Sequence, residues 1–324
     1  MRCKVICNPK SGRHASPKKL ERILGKLVME HDLSLVDIHR TTGAGDAWRA
    51  AAALSAEEYD FVIGAGGDGT LNEIVNGLME GGAGLPLAML AGGTVNDFAS
   101  HLGLPTEPED FCLMLQRGSV REIDLGWANG RYFINAAAFG MFTDIPYKTR
   151  NREKSILGKL AYYMQGVRDA PEQLFSTMQL TAACGEESMD VEALVCIIAN
   201  SSSVGGVRRL MSKAQVDDGL LDVILVAKPA LQNFGETFQS LWEGDGPRKG
   251  IIWQKQISEA VFLPRDDKII DVDLDGEQSG ALPLTIKVAP KALKLFVPDF
   301  KPLLHMRSPN KEQKPPVNGL VNRR

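Results

Sequence analysis

The chain has five cysteines (Cys3, Cys7, Cys112, Cys184 and Cys196), odd in number, scattered, and never spaced as CxxC. That pattern offers neither a zinc knuckle nor a disulfide frame, and it reads as reduced, mostly buried thiols. Long hydrophobic runs are missing too. The longest, such as Ala193 to Ala199, fall far short of the ~18 residues that span a bilayer, so a lipid ligand would have to be met from the water side. The start, Met1-Arg2-Cys3-Lys4 and then only Val5-Ile6-Cys7 before Asn8-Pro9, is too short an apolar stretch for an export signal, and a cytoplasmic location is expected. The five histidines stand apart without metal-ligand spacing. A net charge of -3 gives no global reason to expect a nucleic acid partner. No internal repeat is present.

A length of 324 residues exceeds what one core usually supports and favours two domains. Up to about residue 122, short β-branched runs alternate with helical patterns, the rhythm of βαβ units around a parallel sheet. Strands are expected at Lys4 to Cys7, Leu35 to His39, Asp60 to Gly64 and Leu87 to Leu90. From residue 123 the rhythm changes. Glu122 to Trp127 and Tyr132 to Ala136 flank Asn129-Gly130, a hairpin signal because both residues tolerate positive φ. Further strands are expected at Glu192 to Ala199, Leu221 to Val226, Gln256 to Leu263, Ile269 to Leu274, Leu284 to Val288 and Ala292 to Val297, with a helix near Ser155 to Arg168. The fold class expected is α/β plus β: a Rossmann-like parallel-sheet nucleotide domain over 1–122 and an antiparallel, β-sandwich-like domain over 123–298. Residues 299–306 could return to the first domain. The tail, 307–324, carries five basic residues against Glu312 and is expected to be a disordered basic segment.

The strongest local signal is Gly66-Gly67-Asp68-Gly69-Thr70, between an apolar strand and a run with Leu71, Ile74, Val75, Leu78 and Met79 at helical spacing. A glycine turn at a helix N-terminus lets backbone N–H groups approach phosphate oxygens. It is not a P-loop, which needs a Lys after the glycines. The carboxylate of Asp68 beside phosphates points to a divalent cation between them, hence Mg²⁺-nucleotide. Asn8, Pro9, Lys10, Ser11 and Gly12 follow the first strand, Thr41 to Ala47 the second, and Gly92, Gly93, Thr94, Val95, Asn96 and Asp97 the fourth. Ligands of open α/β sheets bind along that crest, so the loops converge on one site.

The strings NPKSG (8–12), GGDGTLNEIVNGL (66–78) and GGTVNDFA (92–99) resemble the diacylglycerol kinase catalytic family, bacterial lipid kinases included, over roughly residues 1 to 300. The resemblance implies the fold above, which NAD kinases share, and ATP bound in the cleft between domains. Its nucleotide contacts would be Asn8 to Gly12, Thr41, the loop and helix start Gly66, Gly67, Asp68, Gly69, Thr70, Leu71, Asn72 and Glu73, then Gly93 and Thr94, with Asn96 and Asp97 in the catalytic cleft. Asp68 counts among the catalytic residues.

Ile270 to Asp275 alternates strictly, which predicts a strand with Asp271, Asp273 and Asp275 on one face and Val272 and Leu274 toward a core. Phosphorylating an alcohol requires a proton acceptor, usually a carboxylate. The Asp275-Gly276-Glu277 triplet matches the family motif that holds it, and sequence leaves Asp275 and Glu277 as equal candidates. At Gln215 to Leu220 the plain reading is a turn. The resemblance implies a structural Mg²⁺ held by Asp218 and the carbonyls of Gln215 and Leu220, although Met211-Ser212-Lys213 departs from the family's proline. The basic run Lys148, Arg150, Arg152, Lys154 and Lys159 suits either an anionic membrane surface or a solvated helix. An ATP-dependent lipid kinase acting transiently at the inner face of the membrane is the reading preferred. An NAD kinase-like enzyme and a non-catalytic nucleotide- or lipid-binding regulator are the alternatives, and a homodimer is compatible with the sequence.

Overall fold

The computed structural model describes residues 1–11, 17–30, 32–92, 97–140, 177–204, 211, 214–226 and 251–300. Four parallel strands open the chain: β1 (Arg2–Cys7), β2 (Leu35–Arg40), β3 (Phe61–Gly66) and β4 (Leu87–Ala91), in the order β2-β1-β3-β4. Every residue of β3 and β4 is buried, as near-continuous apolar strands covered on both faces must be. Helices α1 (Pro17–Met29), α2 (Asp46–Ala52), α3 (Asp68–Gly81), α4 (Asp97–His101) and α5 (Pro108–Arg117) accompany them. The predicted stripe of α3 is the face it buries: Leu71, Ile74, Val75 and Leu78. Full burial of Ile74 and Val75 contributes roughly 1.5–3 kcal/mol each. α3 ends where Gly82 turns left-handed at φ 66 and its N–H reaches the Leu78 carbonyl.

The second region is antiparallel. β5 (Ser119–Ala128) and β6 (Arg131–Phe133) form the predicted hairpin, with Asn129 at φ 45 and Gly130 at φ 97. There follow β7 (Ala136–Gly140), β8 (Met178–Cys184), β9 (Glu187–Ala193), β10 (Val195–Ala199), β11 (Leu221–Val226), β12 (Ile251–Ile257), β13 (Glu259–Pro264), β14 (Asp271–Leu274), β15 (Glu277–Ala281) and β16 (Leu284–Val297). A six-stranded sheet runs β12-β11-β10-β7-β14-β15. β5, β6, β8, β9 and β13 instead join the parallel strands in one ten-stranded sheet, through β16. β16 pairs with β13 and β5 antiparallel and with β4 parallel at Leu295 and Leu87. A second core lies among these strands, with Phe139 and Phe262 in edge contact at 5.0 Å.

Several predicted boundaries move. Glu192 to Ala199 is two strands, β9 and β10, in different sheets, and Gln256 to Leu263 is likewise β12 and β13, because the chain changes sheets at Leu194 and Ser258 without a change of apolar rhythm. β8 was not anticipated. Leu284 to Val288 and Ala292 to Val297 are one strand with an irregularity between Ala289 and Leu293. Its last residues, Leu293, Leu295 and Val297, belong to the first core, as do Ile123 and Leu125 of β5. Phe300, past the end of β16, packs against that core as well, and the 122/123 boundary falls inside β5. The expected helix at 155–168, the basic run from Lys148 to Lys159, residues 301–306 and the tail lie outside the described residues.

Candidate functional site

Three glycine-bearing loops at the carboxyl ends of β1, β2 and β3 open onto one cavity of about 410 Å³. Asn8, Lys10 and Ser11 line it from the first loop, Thr41 to Ala44 from the second, and Gly67, Gly69, Thr70 and Glu73 from the start of α3. The site sits where the strand order reverses between β1 and β3, the switch point at which α/β sheets leave a crevice.

Each loop is held by its own polar side chains. Asn8 accepts the Lys10 N–H through Oδ1 at 3.0 Å and donates from Nδ2 to Thr70 Oγ1 at 3.2 Å, which ties the first loop to α3. The Ser11 hydroxyl donates to the Asn8 carbonyl at 2.7 Å. In the second loop the backbone N–H and hydroxyl of Thr42 donate to Asp46 Oδ2 at 2.8 and 3.0 Å. Those two bonds hold the Asp46 carboxyl below its ordinary range. Glu73 accepts the N–H groups of Gly45 and Ala47 at 2.7 and 3.2 Å, so it fastens the second loop to α3 as well as lining the cavity. Asp68 stands in the first turn of α3.

Other sequence-predicted residues lie elsewhere. Gly66 is the buried end of β3, Leu71 is a core residue and Asn72 is buried. Pro9 is exposed beside the lining residues. Gly12, Gly93, Thr94 and Asn96 fall outside the described residues, as does the side chain of Asp97, the first residue of α4.

The two candidate carboxylates differ sharply. Asp275 sits past the end of β14 at φ 52, not on the face of a strand. Although the residue keeps partial exposure, both its oxygens are engaged. Oδ2 accepts from Asn72 Nδ2 and the Ile134 N–H, each at 2.7 Å, and Oδ1 from the N–H groups of Asn135 and Ala136 at 2.8 and 2.9 Å. Burial raises its pKa and these four donors oppose the rise. The break between β6 and β7, where a continuous strand over Tyr132 to Ala136 was expected, is the stretch that donates these N–H groups. Asn76 completes the junction by accepting the Tyr132 N–H at 2.8 Å and donating to the Tyr132 carbonyl at 2.9 Å. Asp273, expected beside Asp275 on an open face, is buried and accepts the Gly276 N–H at 2.7 Å.

Glu277, two residues on, lines the cavity. A Cβ added at Gly69 would overlap the Glu277 carboxylate and displace that side chain, so the second region delivers a carboxyl group directly against the phosphate loop. Desolvation raises the Glu277 pKa, the carboxylates of Glu73 and Asp275 add to the rise, and the Arg131 guanidinium opposes it. Sequence reading overlooked Arg131 and Asp124. Asp124, fully buried in β5, accepts the N–H groups of Gly219 and Lys291 at 2.6 and 2.7 Å and thereby anchors the 215–220 turn. An acidic residue between Ile123 and Leu125 in an apolar run was the available signal. In that turn Asp218 is exposed and its Oδ1 accepts the Leu220 N–H at 3.0 Å. One carboxylate with the carbonyls of Gln215 and Leu220 is an all-oxygen set, which fits a hard cation such as Mg²⁺.

Among the described residues no helix is long and apolar enough to cross a membrane. Four of the five cysteines are buried, and burial pushes the Cys3 thiol up to about 12 and Cys112 to about 11, so these are inert thiols.

Family models for the diacylglycerol kinase catalytic domain and for the YegS C-terminal NAD kinase beta sandwich-like domain match residues 2–128 and 144–297. A diacylglycerol kinase of Bacillus subtilis is 34% identical over 287 residues, 87% of this chain and 91% of the relative. One from Staphylococcus saprophyticus is 32% identical over 298 residues, 92% and 96% of the two chains. The crystal structure of a diacylglycerol kinase from Bacillus anthracis superposes with a TM-score of 0.77 at 26% identity, covering 92% of this chain and 97% of the other. Yeast NADH kinase shares the fold, with a TM-score of 0.53 at 11% identity over 97% and 90% of the chains.

Proposed function

Because this chain belongs to the diacylglycerol kinase family, we propose that it transfers the γ-phosphate of ATP to the hydroxyl of diacylglycerol or a closely related lipid. ATP as donor and a lipid alcohol as acceptor follow from the family. The observation that supports the assignment of roles is the Glu277 carboxylate standing against Gly69 in a cavity otherwise lined by the three loops.

The backbone N–H groups of the Gly67 to Thr70 turn, with Lys10, receive the phosphates. Glu277 takes the proton of the acceptor hydroxyl as its oxygen attacks the γ-phosphorus. The bond from γ-phosphorus to the bridging oxygen breaks, and ADP leaves with the electron pair. Asp275 is the weaker candidate for that task, since each of its oxygens already accepts two hydrogen bonds. Its work is to fix the β14–β15 turn that carries Glu277. Asp68, in the first turn of α3 beside the lining residues Gly67 and Gly69, would be the carboxylate that holds a nucleotide-bound cation, and such a cation would offset phosphate charge. A second Mg²⁺, with Gln215, Asp218 and Leu220, would stiffen the turn below β5. The protein works from the cytoplasm, touching the inner membrane surface transiently, and a homodimer is compatible with this reading.

Transfer of label from γ-labelled ATP with Mg²⁺ to mixed micelles, each carrying one candidate lipid, tests the proposal, with NAD⁺ as a parallel acceptor. Labelled lipid is expected, and Asp68→Ala is expected to abolish it with the fold intact. A labelled nicotinamide product in place of labelled lipid would overturn it.

A further inference from the structure

Arg131 begins β6 directly after the Asn129-Gly130 turn. Its guanidinium carbon lies 5.8 Å from the ring centroid of Trp48 on α2, within the range of cation–π attraction. Trp48 is itself fixed, donating from Nε1 to Glu80 of α3. On its other side Arg131 donates from Nη1 to Ser279 Oγ at 3.3 Å, on β15, the strand that Glu277 starts. Its Nε is buried without a hydrogen-bond partner among the described residues, so packing rather than a full set of hydrogen bonds holds the side chain. Three charged groups act on Glu277: Arg131 from β6, Glu73 from α3 and Asp275 from its own turn. Two are acidic, and Arg131 is the cation among them.

We propose that Arg131 is a positioning residue: set between Trp48 and Ser279, it ties β15, the strand that Glu277 starts, to α2, the helix that follows the second phosphate loop, and so fixes where Glu277 stands at the cavity. The proposal rests on Glu277 being the proton acceptor. Burial raises the Glu277 pKa and the charges of Glu73 and Asp275 add to the rise, so without the guanidinium the carboxyl would retain its proton to higher pH, where it could not receive one from the substrate. The contact with α2 makes the same residue sensitive to how the second loop is seated.

The test is Arg131→Gln and Arg131→Lys in the full chain, read in two ways. The first is the titration midpoint of the Glu277 carboxyl by ¹³C NMR, its signal assigned by loss in Glu277→Gln. The second is the pH profile of kcat for lipid phosphorylation. Arg131→Gln is expected to raise the midpoint by about half a unit to one unit and to move the acid limb of kcat upward equally, with KM for ATP unchanged. Arg131→Lys should restore the midpoint and only part of kcat, because an ammonium does not stack flat on an indole. A Glu277 midpoint unmoved in Arg131→Gln overturns the proposal. If that variant melts early, Trp48→Leu leaves the cation but frees it, and unchanged kcat there overturns the proposal too. Full turnover in Glu277→Gln would remove the acceptor reading, while the NMR midpoint still decides the role of Arg131.

Discussion

The two sides of the cleft are made differently. The parallel-sheet side presents backbone: short glycine-bearing loops at strand ends, each tied by an Asn, Asp or Glu within or next to it. The antiparallel side presents one carboxylate, Glu277, held through a neighbouring carboxylate that spends both oxygens on distant N–H groups. On the proposed roles, phosphate binding would depend on local conformation. Proton transfer by Glu277 would depend on contacts more than a hundred residues apart in sequence, such as Asp275 with Asn72 and with Ile134 to Ala136.

Glu277→Gln separates the two sides most strongly. It should lower kcat by about 10²–10⁴-fold with the KM for ATP unchanged, measured by steady-state transfer of label, and a loss of ATP binding instead would merge the two sides. Asp275→Ala should act through stability. It strands buried N–H groups at the junction, at a cost of about 1–3 kcal/mol in denaturant unfolding, and an unchanged midpoint would show that the turn is not anchored there. Gly69→Ala touches the point of contact. About a tenfold fall in kcat is expected without loss of stability, since alanine favours a helix start by up to ~1 kcal/mol over glycine. In a Glu277→Gln background the same change should cost much less, the coupling expected of neighbours.

The pH dependence sharpens the contrast. The acceptor must be ionised, and burial raises the Glu277 pKa. kcat/KM should therefore fall as pH drops through a value above the ~4.3 of an ordinary glutamate. The smallest effect lies far from the cleft. Asp37 accepts from Lys4 Nζ at 2.6 Å and Tyr59 Oη at 2.7 Å, which lowers its pKa. Its stabilisation is whole above the ~3.9 of an unfolded Asp and disappears as pH falls through the lowered folded value. With the Asp37 side chain 45% exposed, Asp37→Asn should cost no more than about 1 kcal/mol at neutral pH, by thermal unfolding.

Legibility in the sequence follows the same division. The strand ends, the α3 stripe and the Asn129-Gly130 hairpin were readable because periodicity and positive φ are local properties. Sandwich corners were not: at Leu194 and Ser258 one residue separates strands of different sheets, and apolar alternation runs on across it. Asn72 read as a nucleotide contact because it lies in the motif, yet its amide serves Asp275 and the Tyr132 carbonyl.

By itself the sequence determined that glycine-bearing loops crown a parallel sheet and that an acidic triplet follows an alternating strand. Backbone freedom and side-chain period are written residue by residue. Only the tertiary structure gives the two acidic residues of the triplet different surroundings. Whether a carboxylate is saturated by N–H donors or left facing a cavity depends on which distant backbone reaches it, and that separates Asp275 from Glu277.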